Sequence, residues 1–291
     1  MTQFYGVIGH PAGHSLSPDM FNAAFFEYGM DAQYERFDVE PEKLGDFIAE
    51  RVSSPVPGEA GSVPGVDGEP ILGLSVTIPH KEKIIPLLNE VDDVAREIGA
   101  VNTVERVLRG SAGKKVARTK GYNTDGVGAQ RALEEACTLE GKRVLVIGAG
   151  GAAAAIVYAC RQAGAAVTVL NRTEDKAKQL ADKFHCGYGL LSEILNHPAD
   201  VLVHTTSVGM TPNVGVSLVP PGYFRKGMVI MDIVYNPLET RLVKEARAAG
   251  CRIVPGYKML LYQAEKQFEI WFKKKPPAQK MEKALLEGLG G

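Results

Sequence analysis

The chain has 291 residues, 45% of them hydrophobic and 23% charged, enough apolar material for two domains with buried cores. Its formal net charge is −1, so no global field draws it to nucleic acid or to an anionic membrane. Such neutrality fits an enzyme acting on a small metabolite.

The N-terminal residues Met1-Thr2-Gln3-Phe4-Tyr5-Gly6-Val7-Ile8 form no basic n-region, and no apolar run approaches the roughly 20 residues of a membrane span. The expectation is a cytoplasmic protein with no membrane or nucleic-acid partner. Cys137, Cys160, Cys186 and Cys251 are scattered without CxxC spacing, which predicts free thiols rather than disulfides or a zinc site. His10 and His14 flank Pro11 and Gly13 and cannot share a helix face, so no metal is expected.

In chain order, Phe4–Ile8 reads as a strand, Pro18–Tyr28 as a helix, Gln33–Val39 as a strand and Pro41–Val52 as a second helix. Leu72–Thr77 is a third strand, followed by a helix from Pro79 to Leu88. This βαβα order predicts a mainly parallel sheet with helices packed on it. Ser53–Pro70 is dense in proline and glycine and reads as a mobile surface loop. Leu108–Lys120 carries Arg109, Lys114, Lys115, Arg118 and Lys120 and reads as an exposed basic turn between strands. A second unit starts near Asp125. Its expected strands are Arg143–Ile147, Ala166–Leu170, Val201–His204, Val229–Asp232 and Arg252–Val254. Met259–Lys274 is a long helix ended by Pro276-Pro277, with Leu260, Ala264, Phe268, Trp271 and Phe272 on one apolar face and Gln263 at its edge.

Gly148-Ala149-Gly150-Gly151-Ala152-Ala153 directly follows an apolar strand and opens an alanine-rich helix. The glycines permit a tight turn and close approach to a pyrophosphate, and the helix N-terminus offers unpaired N–H groups and a partial positive charge. The next strand ends Asn171-Arg172-Thr173, with Lys176 one turn on. An NAD site usually places a carboxylate there for the ribose hydroxyls. Here Arg172, Thr173 and Lys176 can instead donate to a 2′-phosphate, which predicts NADP, although Thr173 can also cap the following helix.

Ser17-Pro18 has the form of a helix N-cap with proline in the first turn, which leaves Ser15 unexplained. Two hydroxyls near a strand's carboxyl end suit a carboxylate ligand. Ser75-Val76-Thr77-Ile78-Pro79-His80-Lys81 repeats that turn, and Lys81 falls where the expected helix dipole disfavours a cation, an effect of roughly 0.3–1 kcal/mol. Such a lysine is either an ordinary surface residue or a functional one. Asp125 can cap the helix after it or serve a cleft between the two units. Asn102 adds a donor and an acceptor.

These segments, in the order GHPAGHSLSP, SVTIPHK, GAVNT, GYNTDGVG, GAGGAA, NRT, TTSVGM, DIVYNP and GYKMLLYQ, resemble the shikimate dehydrogenase family from Tyr5 to about Phe272. The resemblance implies an α/β protein with two domains. One is an N-terminal, mainly parallel substrate domain, residues 1–124 with 256–291. The other is a Rossmann-type NADP domain, residues 125–255, from which the C-terminal helix returns to the first. The implied reaction is reversible reduction of 3-dehydroshikimate by NADPH, in chorismate and aromatic amino-acid biosynthesis. Lys81 and Asp125 would be the catalytic pair. Ser15 and Ser17 would hold the substrate carboxylate, and Thr77, Asn102, Asp125, Tyr235 and Gln263 would contact its carboxylate or ring hydroxyls. Gly148, Ala149, Gly150, Gly151, Ala152, Asn171, Arg172, Thr173 and Lys176 would hold the cofactor's phosphates and ribose. Thr206, Ser207, Gly209 and Met210 would line its nicotinamide side, and Val234 and Gly256 would also bind the cofactor. A monomer or homodimer is expected.

The chain departs from the usual pattern at Ser75 and His204, each where Asn is frequent, and at Phe21, where His is frequent. Ser75 makes substrate range the open point, and a quinate/shikimate dehydrogenase of broader range is the alternative. A non-catalytic NADP-binding sensor is the alternative from another class, and Lys81 with Asp125 argues against it. A methyltransferase would want an acidic residue where Asn171-Arg172 stands.

Overall fold

The computed structural model describes residues 2–53, 70–109 and 116–290, with backbone alone for 108 and 109. Most of the expected proline- and glycine-rich loop, and the tip of the basic turn with Lys114 and Lys115, lie outside those residues. The chain divides into two compact units, one running to Thr124 and resuming at Ala264, the other spanning Asp125–Gln263.

The first unit opens with β1 (Gln3–Gly9), α1 (Ser17–Glu27), β2 (Ala32–Asp38) and α2 (Leu44–Phe47). It continues through β3 (Ile71–Val76), β4 (Glu90–Val91), α3 (Asp93–Ile98), β5 (Thr103–Arg109) and β6 (Val116–Tyr122). Its sheet has the order β2-β1-β3-β5-β6-β4. β1 runs parallel to both β2 and β3, whereas β5 is antiparallel to β3 and to β6. The expected parallel half is therefore joined to an antiparallel hairpin, whose strands flank the basic turn.

One face of this sheet is aliphatic, built from Ile8, Leu44, Ile48, Ile71, Leu74, Val76, Ile84 and Val104. The other is aromatic. Phe21 is fully buried and stacks on Tyr34 with 4.6 Å between centroids, and Trp271 meets Phe21 at 5.1 Å and Tyr5 at 5.5 Å. Trp271 can lie there because residue 73 is glycine; a Cβ at Gly73 would stand 2.6 Å from the indole.

The second unit comprises α4 (Asp125–Glu134), β7 (Arg143–Ile147), α5 (Gly151–Gln162), β8 (Ala166–Asn171), α6 (Glu174–Phe184) and β9 (Gly187–Leu190). After them come β10 (Val201–His204), β11 (Val229–Asp232), α7 (Arg241–Ala248), β12 (Arg252–Val254) and the start of α8 (Gly256–Phe272), which from Ala264 onward belongs to the first unit. The sheet is parallel throughout, in the order β12-β11-β10-β7-β8-β9. Counted from β7, that is the 3-2-1-4-5-6 order of a Rossmann dinucleotide fold, with its switch point between β7 and β10. Leu145, Ile147, Leu170, Leu202, Ile230, Leu242 and Val243 fill one face.

Several local expectations are corrected. Residues 41–52 do not form one helix but a 3-10 turn at Pro41–Lys43, α2, and a wider helical turn at Ile48–Val52. Residues 79–88 hold turns and a single 3-10 turn, Ile85–Leu87. Pro86 has no N–H for an α-helical bond and biases Ile85 away from helical backbone. Lys81 therefore meets no helix dipole, and that argument for its importance falls. Ser17 is the first residue of α1 and not its cap; the cap position is Leu16, without a side-chain bond. Thr173 occupies the cap position of α6 but makes no capping bond, and Asp125 lies inside α4 as its first residue. α8 begins before Met259 and ends at Phe272, and Leu260 is half-buried while Leu261 is buried. After Pro276-Pro277 the chain forms one more helix, α9 (Ala278–Gly288), which packs on α1 through Met281 and Leu285.

Candidate active site

In the first unit, the carboxyl ends of β1 and β3 are tied side by side. The Thr77 N–H donates to the Ile8 carbonyl at 2.9 Å and the His10 N–H to the Ile78 carbonyl at 3.0 Å. The Ser15–Ser17 and Thr77–Lys81 turns thus share one end of the sheet. Ser15 Oγ lies 3.2 Å from Ser17 Oγ and accepts the Ser17 N–H at 3.3 Å. The hydroxyl the sequence left unexplained performs the local turn bond, and the buried Ser17 does not. Lys81 is half-exposed, and its carbonyl accepts the Val101 N–H at 2.8 Å. Its neighbour His80 is fully buried and donates from Nε2 to the Val39 carbonyl at 2.7 Å; burial holds its pKa below the usual histidine value. His80 is the anchor of the turn that presents Lys81.

Asn102 sits in a buried polar chain that the sequence did not reveal. Tyr34 donates to Ser75 Oγ at 2.6 Å, and Ser75 donates to Gln267 Oε1 at 2.7 Å. Gln267 Nε2 donates to the Asn102 carbonyl at 3.1 Å and to Thr103 Oγ1 at 2.9 Å. Thr103 in turn donates to Asn102 Oδ1 at 2.7 Å, which also accepts the Thr124 N–H at 2.8 Å. Asn102 Nδ2 donates to Thr124 Oγ1 at 2.9 Å, so the carboxamide is held in one orientation. Burial pushes the Tyr34 hydroxyl well above the ordinary tyrosine range, and the hydroxyl acts as a donor.

The only sequence signal for Gln267 is a polar residue one helical turn beyond Gln263, on a face otherwise apolar. Gln267→Met, close in shape but without the amide, is expected to raise the substrate KM about 5- to 30-fold, from one or two lost buried donor bonds. kcat should move less, and steady-state kinetics separate the two.

In the second unit, Asp125 is buried at the start of α4, which packs closely through Gly126 and Gly128. Gln263 is buried in α8 and donates from Nε2 to the Leu260 carbonyl at 2.9 Å. Tyr235 is half-buried, and burial raises its hydroxyl pKa. Of the expected catalytic pair, Lys81 belongs to the first unit and Asp125 opens the second.

The glycine-rich turn joins β7 to α5. Gly148 has φ +117°, and a Cβ there would lie 2.4 Å from Thr205 Oγ1, so only glycine fits. α5 starts at Gly151 with Gly150 as a cap that has no side chain to bond. Its first-turn N–H groups, at Gly151, Ala152 and Ala153, have no carbonyl within the helix to bond. Ala149 is half-buried and Gly150 exposed, so the turn's backbone reaches the surface. A dinucleotide pyrophosphate fits this cradle by charge and by the absence of side chains.

At the end of β8, Asn171 Nδ2 donates to the Thr173 carbonyl at 3.0 Å and shapes the turn that carries Arg172. Arg172, Thr173 and Lys176 are all exposed. Arg172 lines a groove of about 370 Å³ with Leu190, Leu191, Ser192, Ile194, Leu218 and Pro220, a mostly apolar bed. Thr206, Ser207, Gly209 and Met210 follow β10, and the buried Val234 follows β11. Gly256 starts α8 where a Cβ would meet the Asp232 carbonyl at 2.3 Å and the Val234 carbonyl at 2.7 Å. These segments leave the carboxyl ends of neighbouring strands of one sheet. All four cysteines carry free thiols. Among the described residues, no group of three or more His, Cys, Asp or Glu side chains could hold a metal ion, and no helix is long and apolar enough to cross a membrane.

Comparison with known proteins agrees with this architecture. The profile of the shikimate dehydrogenase substrate binding domain matches residues 7–65 and 60–104. That of shikimate / quinate 5-dehydrogenase matches 129–237, and that of the shikimate 5′-dehydrogenase C-terminal domain matches 256–286. The chain is 44% identical over 288 residues to a shikimate dehydrogenase (NADP(+)) of Pyrococcus abyssi, with 98% of each chain covered. It superposes on shikimate 5-dehydrogenase of Thermus thermophilus in complex with NADP(H) and shikimate, with TM-score 0.84, 34% identity, and 99% and 100% of the two chains covered. It is also similar to quinate dehydrogenase from Corynebacterium glutamicum in complex with NAD, with TM-score 0.81, 28% identity, and 98% and 99% covered. By sequence over almost its whole length and by fold, the chain belongs to the shikimate dehydrogenase family.

Proposed function

We propose that this protein catalyses the reversible, NADP-linked reduction of 3-dehydroshikimate to shikimate, in chorismate and aromatic amino-acid biosynthesis. The observation that carries the reading is the strand–glycine–helix cradle at Gly148–Gly151, with Arg172 in place of an acidic residue at the end of the next strand, in a chain of this family. We assign substrate binding to the first unit with the C-terminal segment, and NADP binding to the second. The charge balance and free thiols fit a cytoplasmic enzyme.

NADPH, when bound, supplies the hydride. Ser15 and Ser17 orient the substrate carboxylate, and Asn102, locked by its buried partners, holds a ring hydroxyl together with Thr77, Tyr235 and Gln263. Lys81 stabilises the developing alkoxide and delivers its proton, and Asp125 keeps the lysine and a neighbouring hydroxyl in place. The cofactor's phosphates rest on the Gly148–Ala152 backbone, with Asn171, Arg172, Thr173 and Lys176 at the adenosine end.

Absorbance at 340 nm, with shikimate and quinate each tested against NADP and NAD, tests the assignment. Shikimate with NADP should exceed the other three combinations by about tenfold or more in kcat/KM, a difference of about 1.4 kcal/mol in transition-state binding. Preference for quinate with NAD would replace the assignment by a quinate dehydrogenase. Absence of turnover in all four, with NADP bound, would leave a sensor.

A further inference from the structure

His204 has no role in the reading above, yet it lies at the centre of a buried polar cluster beneath the segments assigned to the nicotinamide. It ends β10, is 1% exposed, and is paired in register with Ile147 at the end of β7 and Asp232 at the end of β11. Its Nδ1 is 2.8 Å from Asp232 Oδ1, at the end of β11, and its Nε2 is 2.5 Å from Thr206 Oγ1. Asp232, also 1% exposed, accepts the Val234 N–H at 3.1 Å and the Thr240 hydroxyl at 2.7 Å. Thr240 Oγ1 itself accepts the Val243 N–H at the start of α7, at 3.2 Å, so its hydroxyl proton is committed to Asp232. The carboxylate is thus a pure acceptor, and Nδ1 carries the hydrogen that meets it. In the neutral ring this selects the Nδ1–H tautomer and turns the Nε2 lone pair toward Thr206. The Thr206 hydroxyl then donates to His204, and its oxygen, which accepts the Val208 N–H at 3.3 Å, is left as an acceptor for anything beyond.

We infer that His204 is a positioning residue for the cofactor: backed by Asp232, it turns the Thr206 hydroxyl so that its oxygen accepts from the amide NH₂ of the nicotinamide. The inference rests on the assignment of NADP to this unit. A rigid ring bonded at both ends couples the loop after β10 to the one after β11, whose Val234 N–H is bonded to Asp232. An asparagine at the same Cα is too short to bridge both partners.

The test is fluorescence titration of substrate-free protein with NADPH, beside competition with adenosine 2′,5′-bisphosphate, which carries the adenosine end without a nicotinamide. His204→Asn and Thr206→Val should each weaken NADPH about 3- to 10-fold, the worth of one hydrogen bond, and leave the bisphosphate within about twofold. Thr206→Ser should retain wild-type affinity. The double variant should bind no worse than the weaker single, because both remove one interaction. Unchanged NADPH binding in folded His204→Asn, equal loss for both ligands, or losses that multiply would each overturn the inference. Wild-type protein that fails to bind the bisphosphate would instead overturn the cofactor assignment itself. If His204→Asn does not fold, ¹⁵N-histidine spectra in mildly alkaline buffer carry the test. One ring should show the Nδ1–H tautomer with an Nε2 resonance that moves in Thr206→Val, and no such ring would reject the role.

Discussion

Lys81→Ala is expected to lower kcat by about 10²- to 10⁴-fold while the KM for shikimate stays within a few-fold, the signature of a group acting in the transition state. Hydride arrival converts the carbonyl oxygen to an alkoxide, and an ammonium at that oxygen both stabilises the charge and supplies the proton. The ground-state carbonyl needs neither. Lys81→Arg should not restore the rate, since a guanidinium keeps its proton at any working pH. The backbone around Lys81 is held by the Val101 N–H bond to its carbonyl and by the buried His80, so the truncation should leave the fold intact. Initial rates across substrate concentrations decide the matter. A variant that loses affinity and keeps its turnover would reduce Lys81 to a binding residue.

The second large effect is expected at the other end of the cofactor. Arg172→Ala should raise the KM for NADPH about 10- to 100-fold, the worth of charge-assisted bonds to a phosphate, and leave the KM for NADH within about twofold. Arg172 is exposed, so its contribution is screened, and the penalty should shrink as ionic strength rises. Arg172→Lys should recover only part of the loss, because the ammonium keeps the charge but not the planar face over the apolar groove. Equal losses with both cofactors would place Arg172 away from the 2′-phosphate.

Five of the six strands of the second unit were legible, and the edge strand β9, exposed at Gly187 and Tyr188, was missed. Arg143–Ile147, Val201–His204, Val229–Asp232 and Arg252–Val254 are strands with the bounds their apolar runs suggest. Parallel strands buried on both faces must be continuously apolar, and that leaves a local mark. The glycine-rich turn was legible for the same reason: Gly148 at φ +117° is a backbone requirement written in one residue type. The first unit was harder to read. Residues 79–88 carry apolar spacing that suits a helix, but Pro86 interrupts the bonding, and the only helical turn formed is 3-10. α9 was missed because it buries just Met281 and Leu285 and follows two prolines that look like an end. Phe21, notable in the sequence only as a departure, is explained by its stack on Tyr34.

Sequence alone determined the α/β class, the dinucleotide turn, the choice of Arg172 over an acidic residue, and through its ordered motifs the family. Each is a property of residues adjacent in the chain, where turn chemistry and periodicity act. Tertiary structure decided how the polar groups are partnered. Ser75 is bonded to Tyr34 and to Gln267 across 41 and 192 residues of chain, and His204 to Asp232 across 28. A buried polar atom must find its partner in space, and no local pattern records which distant residue the fold will bring to it.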